Sequence, residues 1–439
     1  MPSFTPHTHE EVQEMLGDLG MASLDDLFAH VPPGIKLQQP LPFDPGKSEF
    51  DVLEWFSGMA KRNLAARRDL VIFAGGGAYD HDISAAARSL GSQGAFVTAY
   101  TPYQPEVSQG VLEAVFEYQT MVARIFGTDV ANASLYDGAA ALVEAVNLAV
   151  GVTGRNRVLV SGGINPAYLE TLATFGAGRS LTLEIAVTNN REATEWEAAA
   201  GAAAAVVVGY PNYFGTIEDL SQARAVADSL GALLVVVADP IALAMLEAPG
   251  SLGADIVVGE GQALGIPLSF GGPYLGLFGA SSRYLRHIPG RLVGETVDAD
   301  GRVAFVTTLR TREQDIRREK ATSNVCTNQT LMAIQAAIHL SWLGKSGFRE
   351  VSRKCYNSAH YLASLLESLG LTVTSAPFFR EFVVELPVPA QKVRDRLLGQ
   401  GFLAGLGLKG RPNHLLLTAT EVHTREEIDS FSDLIAKEI

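Results

Sequence analysis

The sequence predicts an α/β protein in which helices cover both faces of a parallel sheet, followed by a small α+β domain. Of the 439 residues, 47% are hydrophobic and only 19% are charged, so the chain can bury a large core. Apolar runs of strand length alternate with helical patterns, and they are continuous, as in strands buried on both faces. In chain order these runs are Leu70–Ala74, Arg157–Ser161, Leu181–Val187, Ala205–Gly209, Leu233–Ala238, Ile256–Gly259 and Tyr274–Gly279.

Amphipathic stretches between the runs predict the helices. The clearest places apolar side chains from Leu112 to Ile125 on one face and stops at Gly127. The pair Asp300-Gly301 predicts the turn of a hairpin over Thr296–Val306. Further helices are predicted near Ile83–Leu90 and over Ala139–Val150, Glu218–Leu230, Thr327–Leu343 and Gly347–Leu369.

The patterning divides the chain into three predicted domains. They are an N-terminal arm (1–65), a large α/β domain (66–345) and a small C-terminal domain (346–439). The arm has short helix candidates at His9–Leu16 and Leu24–Ala29 and a proline-rich connector, Val31–Pro45. We interpret it as an extension laid over a neighbouring molecule. From Leu371 onward the order is strand, helix, strand, helix, and Thr424 is placed to cap the last helix.

Composition excludes several classes of protein. There are 48 acidic against 34 basic residues, a formal charge of -14, and the sequence has no long basic run. Binding to nucleic acid or to an anionic membrane is therefore not expected. Two cysteines are too few for a disulfide framework or a thiolate metal site, which fits a reducing compartment. The polar N-terminal sequence lacks a signal-peptide pattern, so we expect a cytoplasmic protein. We also expect no structural metal.

Two aspartates lie in turns of the kind at which an open α/β sheet binds its ligands. Asp137 opens the helix at Ala139, whose first N–H groups could hold a phosphate. We favour helix capping, because the aspartate would satisfy those donors and repel a phosphate. Asp239 precedes Pro240 and could pair with a protonated pyridine nitrogen, although capping is again the simpler interpretation.

Two polar segments have compositions that the fold does not require. The proline-stiffened loop Tyr100–Gly110 contains two tyrosines and several hydrogen-bonding side chains, so it could face a substrate or an interface. The stretch Arg310–Thr327 is basic and ends in a turn rich in hydroxyl and amide groups. Its basic residues could serve an anionic ligand or form a solvated helix face. The turn could cap the next helix or supply phosphate ligands.

Three segments together resemble the P protein of the glycine cleavage system. They are Ala99–Gly110, Gly259–Gly276 and Arg312–Leu331, which contains Arg-Glu-Gln-Asp-Ile-Arg-Arg-Glu-Lys-Ala-Thr-Ser-Asn-Val-Cys-Thr. The resemblance covers essentially the whole chain. It implies a pyridoxal-phosphate-dependent transferase-like fold of type I and glycine dehydrogenase (aminomethyl-transferring) activity. Because some organisms divide this enzyme into two related halves, the length implies the separate N-terminal half, the alpha subunit, subunit 1.

The departures from the catalytic pattern of that family are informative. Catalytic halves carry a Schiff-base lysine before a Pro- and Gly-rich turn, and counting back from Pro267 places Gln262 at that position. Glutamine cannot form an imine. Gly162 stands where a histidine is expected to face the cofactor ring, and Asp137 stands at the phosphate turn. The resemblance therefore implies a vestigial cofactor site in this chain.

The resemblance also implies how such a chain contributes to activity. A homologous beta subunit would hold pyridoxal phosphate on its own lysine, in an α2β2 complex that is inactive without both chains. That complex is expected to decarboxylate glycine and to transfer the aminomethyl group to the lipoylated H protein. The alternative is a purely structural or regulatory subunit without active-site residues. An autonomous pyridoxal enzyme is disfavoured, because no lysine lies between Asp239 and Lys320.

Three sets of site residues follow from this interpretation. The substrate or interface loop comprises Tyr100, Thr101, Tyr103, Gln104, Glu106, Ser108 and Gln109. Residues expected to bind the cofactor across the interface are Thr322, Ser323, Asn324 and Thr327. The vestigial site comprises Asp239, Asp137 and Gly162, with Gln262 at the expected lysine position.

Overall fold

The computed structural model describes residues 6–37, 39, 41–196 and 201–439, which form two compact units divided between Asn63 and Leu64. The first unit contains helices α1 (His9–Asp18) and α2 (Glu49–Ala60) and a 3₁₀ turn. Residues 38 and 40 of the predicted connector, like residues 1–5, lie outside the described residues. The Ser48 hydroxyl caps α2 by accepting a hydrogen bond from the N–H of Asp51 at 3.1 Å.

The second unit contains most of the helices. They are α3 (Ala85–Gly91), α4 (Gly94–Val97), α5 (Gln109–Phe126), α6 (Gly138–Thr153), α7 (Pro166–Ala177), α8 (Leu220–Ser229), α9 (Gln314–Arg317), α10 (Thr330–Ser368), α11 (Ala390–Leu398) and α12 (Arg425–Glu438). A break at Gly344, with φ of 60°, divides α10 into the two predicted helices. Among the described residues, no helix combines the length and apolar character needed to cross a bilayer.

The strands also lie in the second unit. They are β1 (Val71–Ile72), β2 (Val130–Ala131), β3 (Arg157–Ser161), β4 (Thr182–Ala186), β5 (Ala205–Tyr210), β6 (Leu233–Ala238), β7 (Ile256–Glu260), β8 (Gly276–Ala280), β9 (Leu292–Val297), β10 (Val303–Thr308), β11 (Thr372–Val373), β12 (Glu381–Glu385), β13 (Phe402–Leu403), β14 (Leu406–Leu408) and β15 (Arg411–Thr418). Strands β9 and β10 form the predicted hairpin, with Gly301 at φ 79° in its turn.

The central sheet of the described chain has the strand order β2-β8-β7-β6-β5-β3-β4. Strands β3 to β7 are parallel, and alternate residues point to opposite faces. In β5, Val206 and Val208 join an apolar cluster with α5, α8 and α10, whereas Val207 joins a cluster with α6 and α7. This confirms the predicted sheet with helices on both faces.

Two predicted strands differ from a simple parallel pattern. Strand β8 is antiparallel to β7, because the segment between them forms a loop instead of a crossover helix. The run Leu70–Ala74 does not enter the central sheet. Its strand β1 pairs with β13 instead, and Phe73 is buried in the C-terminal cluster. Its apolar character predicted burial but could not specify which strand it would pair with.

The C-terminal residues form an antiparallel sheet in the order β11-β12-β15-β14. The predicted order of strand, helix, strand, helix is incomplete there, because the very short strands β11, β13 and β14 give little sequence signal. The Thr424 hydroxyl accepts a hydrogen bond from the N–H of Glu427 at 3.2 Å, which confirms the last cap. The predicted start of the helix at Thr327 is wrong, since α10 begins at Thr330 after Gln329.

Candidate functional site

A pocket lies where β3, β5, β6 and β7 end, the edge at which α/β sheets bind ligands. Asp239, Glu260 and Arg380 contribute charged side chains to its lining, and Tyr79 and Tyr168 contribute aromatic ones. Of the predicted vestigial set, Asp239 lines this pocket, whereas Asp137, Gly162 and Gln262 do not. The predicted loop and turn residues do not line it.

Asp239 forms an ion pair with a buried arginine. Its Oδ2 lies 2.8 Å from Nη2 of Arg380, whose side chain is 2% exposed, and the Arg380 guanidinium lies 3.7 Å from the Tyr79 ring centroid. The other oxygen of Asp239 accepts a hydrogen bond from the N–H of Ile241 at 3.0 Å, as in a helix cap. Both carboxylate oxygens are therefore bonded within the chain.

A second carboxylate occupies the start of α6. The Asp137 side chain accepts a hydrogen bond from the N–H of Ala140 at 2.7 Å, which confirms the capping interpretation. Glu260 Oε2 accepts from the N–H of Gly138 at 2.9 Å, and its Oε1 accepts from Gln262 and Leu275 at 2.9 and 3.0 Å. Burial raises the pKa of Glu260 to about 7 despite these donors, and the charge of Asp137 adds to the effect.

The side chain of Gln262 is 2% exposed and lies outside the pocket lining. Its Oε1 accepts a hydrogen bond from the N–H of Tyr79 at 2.9 Å. Its Nε2 donates to the carbonyl oxygens of Tyr79 and Ile266 at 3.1 and 2.8 Å. The residue at the expected lysine position therefore ties together two backbone segments beside the pocket.

Gly162 also lies outside the lining, which includes its neighbour Gly163. The N–H of Gly162 donates to the Ala186 carbonyl oxygen at 2.7 Å, and a Cβ here would lie 2.6 Å from that oxygen. The tight contact with the end of β4 therefore requires glycine, and a histidine would not fit this backbone. The sequence analysis placed Gly162 at the vestigial cofactor site. In the structure, Gly162 adjoins the pocket only through its neighbour Gly163.

Pyridoxal phosphate does not fit the residues of this pocket. The chain has no lysine between Asp239 and Lys320 to form an imine. The carboxylates of Glu260 and Asp137 accept hydrogen bonds from N–H groups in the first turn of α6. A phosphate bound at this helix start would need those donors to be free. Tyr168 lies against Gly138 so closely that even a Cβ there would clash with its hydroxyl.

The predicted loop and the predicted turn meet at Arg291, a residue that the sequence analysis did not identify. The Arg291 side chain donates to the Cys326 carbonyl oxygen at 2.9 Å, to Asn328 Oδ1 at 3.2 Å and to the Tyr103 hydroxyl at 3.2 Å. Arg310 also lies 5.0 Å from the Tyr103 ring centroid. Arg291 is 7% exposed, and its Nε has no hydrogen-bond partner. A single buried cation therefore connects the two segments.

The loop residues have different environments. Tyr100 is 83% exposed, and Gln104 and Glu106 are exposed, whereas Thr101 and Ser108 are half-buried. Gln109 has a structural role. Its Nε2 donates to the carbonyl oxygens of Pro105 and Phe305 at 2.7 and 2.9 Å, which holds the hairpin against α5.

The turn is anchored by its backbone and by one hydroxyl. The Thr322 carbonyl oxygen accepts a hydrogen bond from Arg179 at 3.1 Å, and Ser323 Oγ accepts from the N–H of Val325 at 3.1 Å. Asn324 is exposed and Thr327 is half-buried. Because α10 begins later, Thr327 is not its cap.

Another polar cluster lies beside the pocket. His81 Nδ1 lies 2.7 Å from Glu421 Oε2, to which the Cys355 thiol donates at 3.2 Å. These three residues have spacing suitable for a metal ion. However, Arg380 Nη1 lies 2.5 Å from His81 Nε2, and its positive charge disfavours a cation there. Electrostatic attraction to His81 lowers the pKa of Glu421 to about 2 although burial opposes it, so this carboxylate is ionised.

Comparison with known proteins identifies the family of the chain. The profile of the glycine cleavage system P-protein family matches residues 2–435. The chain belongs to this family. It is 47% identical over 440 residues to a probable glycine dehydrogenase (decarboxylating) subunit 1 of Chlorobium limicola, with 99% of each chain covered. A protein of Geobacillus kaustophilus with the same name is 46% identical, with 98% of this chain and 97% of the relative covered.

Solved structures agree with this assignment. A crystal structure of glycine decarboxylase (P-protein) of the glycine cleavage system, in inhibitor-bound form, superposes with a TM-score of 0.93 at 43% identity. The match covers 100% of both chains. Glutamate decarboxylase of Lactobacillus brevis has a TM-score of 0.66 at 13% identity, over 91% of this chain and 95% of that one. The predicted pyridoxal-phosphate-dependent fold of type I and the predicted family are both confirmed.

Proposed function

We propose that this chain is the alpha subunit of a heteromeric glycine decarboxylase and supports the active site of a homologous beta subunit. The observation that carries the proposal is full-length similarity to proteins named as subunit 1 of glycine dehydrogenase (decarboxylating). The beta subunit supplies pyridoxal phosphate on its own lysine. Together the chains decarboxylate glycine and transfer the aminomethyl group to the lipoylated H protein, as an α2β2 complex in the cytoplasm.

The internal bonds of the polar groups in and beside the pocket support the proposal that the partner subunit holds the cofactor. The carboxylates of Asp239 and Glu260 are bonded to groups of this chain, and the Gln262 amide is bonded to backbone. A phosphate or a pyridine ring entering here would have to displace these contacts. Substitution of a single residue would therefore not restore a cofactor site.

The contacts of Arg291 support a contribution to the partner's site. This cation joins Tyr103 of the loop to Cys326 at the end of the turn, so the two polar segments form one connected region. Exposed groups such as Tyr100 and Asn324 belong to it. In the complex, this region orients the substrate and donates hydrogen bonds to the cofactor phosphate, with Thr322, Ser323, Asn324 and Thr327 as the phosphate ligands.

The first experiment measures glycine decarboxylation by this chain alone, by the beta subunit alone and by the mixture. We expect activity only in the mixture, with the lipoylated H protein as acceptor. Visible absorbance and borohydride trapping then identify which chain carries the cofactor. Activity or a trapped lysine adduct in this chain alone would refute the proposal.

A purely structural subunit is the second candidate, and the internal bonds of Gln109 and Ser323 favour it for those residues. The double substitution Thr322→Ala and Ser323→Ala distinguishes the two. Losing a hydrogen bond to a charged group costs about 1.5–3 kcal/mol, so cofactor affinity of the complex should fall tens-fold with assembly intact. A complex carrying Ser368→Ala, on the exposed end of α10, is the control. Equal affinities would favour the structural role.

A further inference from the structure

The pocket at the strand ends keeps free space and an excess of acid. Its volume is about 80 Å³, and the residues that line it all belong to the second unit. Asp239, Glu260 and Glu381 contribute carboxyl groups to the described lining, whereas Arg380 contributes its one basic side chain and already pairs with Asp239. Within the described chain, Glu260 and Glu381 form no ion pair. The pocket therefore disfavours an anion and lacks a cation for two of its acids.

Glu260 keeps a free position for a hydrogen-bond donor. A carboxylate has about four lone pairs, and Glu260 uses three of them for the N–H groups of Gly138, Gln262 and Leu275. The remaining lone pair belongs to Oε2. The Tyr168 hydroxyl lies against Gly138, next to Glu260, and forms no hydrogen bond within the described chain. Both groups can accept hydrogen bonds from a primary ammonium group, which carries three donors.

Two other groups of the lining are donors without acceptors. Arg380 is 2% exposed, and its Nε has no hydrogen-bond partner among the described residues. The Tyr213 hydroxyl also lacks a bond within the described chain, and it lies near Gly76, whose N–H donates to Glu381 at 2.7 Å. A buried donor without an acceptor costs free energy. A neutral oxygen, such as that of an alcohol, would satisfy such a donor without adding negative charge beside Glu381.

Size and charge exclude several other classes of ligand. One water-sized sphere takes about 10–15 Å³ on this scale, so the space admits a molecule of roughly four to six non-hydrogen atoms. A phosphate or a carboxylate of that size would meet the acids of the pocket. A metal ion needs converging ligands, and among the described residues that spacing is found at His81, Cys355 and Glu421, outside the lining. A quaternary ammonium ion has no N–H to donate.

We propose that this pocket binds a small amino alcohol, with its ammonium group at Glu260 and Tyr168 and its hydroxyl oxygen at Arg380 or Tyr213. Ethanolamine has a suitable size and carries both groups. It would fill the free space without displacing the internal bonds that exclude pyridoxal phosphate. Because the pocket lies wholly within this chain, the inference goes beyond the proposed heteromeric function and does not rest on it.

Isothermal titration calorimetry of the full chain at pH 8, with ethanolamine as the probe, tests the site. At that pH most of the Glu260 side chains are ionised, since the pKa of this acid is about 7. Ethylamine lacks the hydroxyl, ethylene glycol lacks the ammonium group, and glycine has a carboxylate in place of the alcohol. Relative to ethanolamine, we expect the dissociation constant to be about 3-fold to 10-fold higher for ethylamine and at least about 10-fold higher for the other two.

Two variants locate the ammonium group. Glu260→Gln removes a charge-assisted hydrogen bond, so the dissociation constant of ethanolamine should rise about 10-fold to 100-fold. Tyr168→Phe removes a hydroxyl that has no partner within the described chain, so the fold should be kept while the dissociation constant rises about 3-fold to 10-fold. Glu170→Gln and Tyr356→Phe, at residues outside the lining, are the matched controls and should bind like the wild type.

Three results would overturn the inference. If ethanolamine at millimolar concentrations gives no binding heat with the wild type, the pocket is not a site for it. If both pocket variants bind ethanolamine as tightly as the wild type, the ligand binds elsewhere. If glycine binds more tightly than ethanolamine, the pocket recognises a zwitterion, and the assignment of the oxygen to an alcohol is wrong.

Discussion

The pKa of Glu260 allows a quantitative prediction for the start of α6. Replacing Glu260 with Gln keeps the shape but removes the charge that three N–H donors and the pocket wall enclose. The pKa of this acid is about 7 in the folded chain against a reference value of 4.5. Because the folded state binds the proton more tightly, its stability falls as the pH rises from 4.5 through 7.

The shift corresponds to at most about 3 kcal/mol, at 1.36 kcal/mol per pKa unit. In Glu260→Gln, an NH2 group replaces one carboxylate oxygen, so one of the backbone N–H donors faces another donor. This lost hydrogen bond costs about 1–3 kcal/mol at every pH. The difference in free energy of unfolding between variant and wild type should therefore shrink by up to about 3 kcal/mol between pH 5 and pH 8. At pH 8 the free energy of unfolding of the variant should come close to or exceed that of the wild type.

Urea unfolding of both proteins at pH 5, 6, 7 and 8 measures this difference directly. Glu170→Gln, an exposed residue of α7, is the control and should leave the pH dependence unchanged. A constant difference between the Glu260 variant and wild type across this range would refute the assignment of a raised pKa. A carboxylate that its donors keep ionised throughout this range would give such a constant difference, because neither state then takes up a proton.

Three further predictions concern single positions. Arg291→Met should lower the free energy of unfolding by about 2–3 kcal/mol and speed hydrogen exchange around Tyr103, since it removes charge-assisted bonds; unchanged exchange would contradict the connection. Gln262→Lys should give no borohydride-trapped adduct in this chain, and a labelled lysine in a peptide map would disprove that. Gly162→His should cost about 2–3 kcal/mol in thermal unfolding because of the Ala186 contact, whereas wild-type stability would show that the backbone adapts.

Much of the site could be inferred from local sequence, because its chemistry depends on neighbouring residues. Asp137 is followed by the helix whose N–H groups it caps, so its role follows from position alone. The absence of lysine around Gln262 is likewise a property of the sequence. Glu260 and Arg291 were missed, since their partners are distant in the chain and a single charged residue at a strand end has no distinctive pattern.

The sequence by itself determined the α/β class, the buried strands, the main helices and the family. These follow from periodicity and from motifs that local interactions specify. Only the tertiary structure decided that β8 runs antiparallel, that β1 joins the C-terminal strands and that Arg291 unites the loop with the turn. Apolar runs specify that a segment is buried, whereas its partner depends on chain crossings and on contacts between residues far apart in sequence.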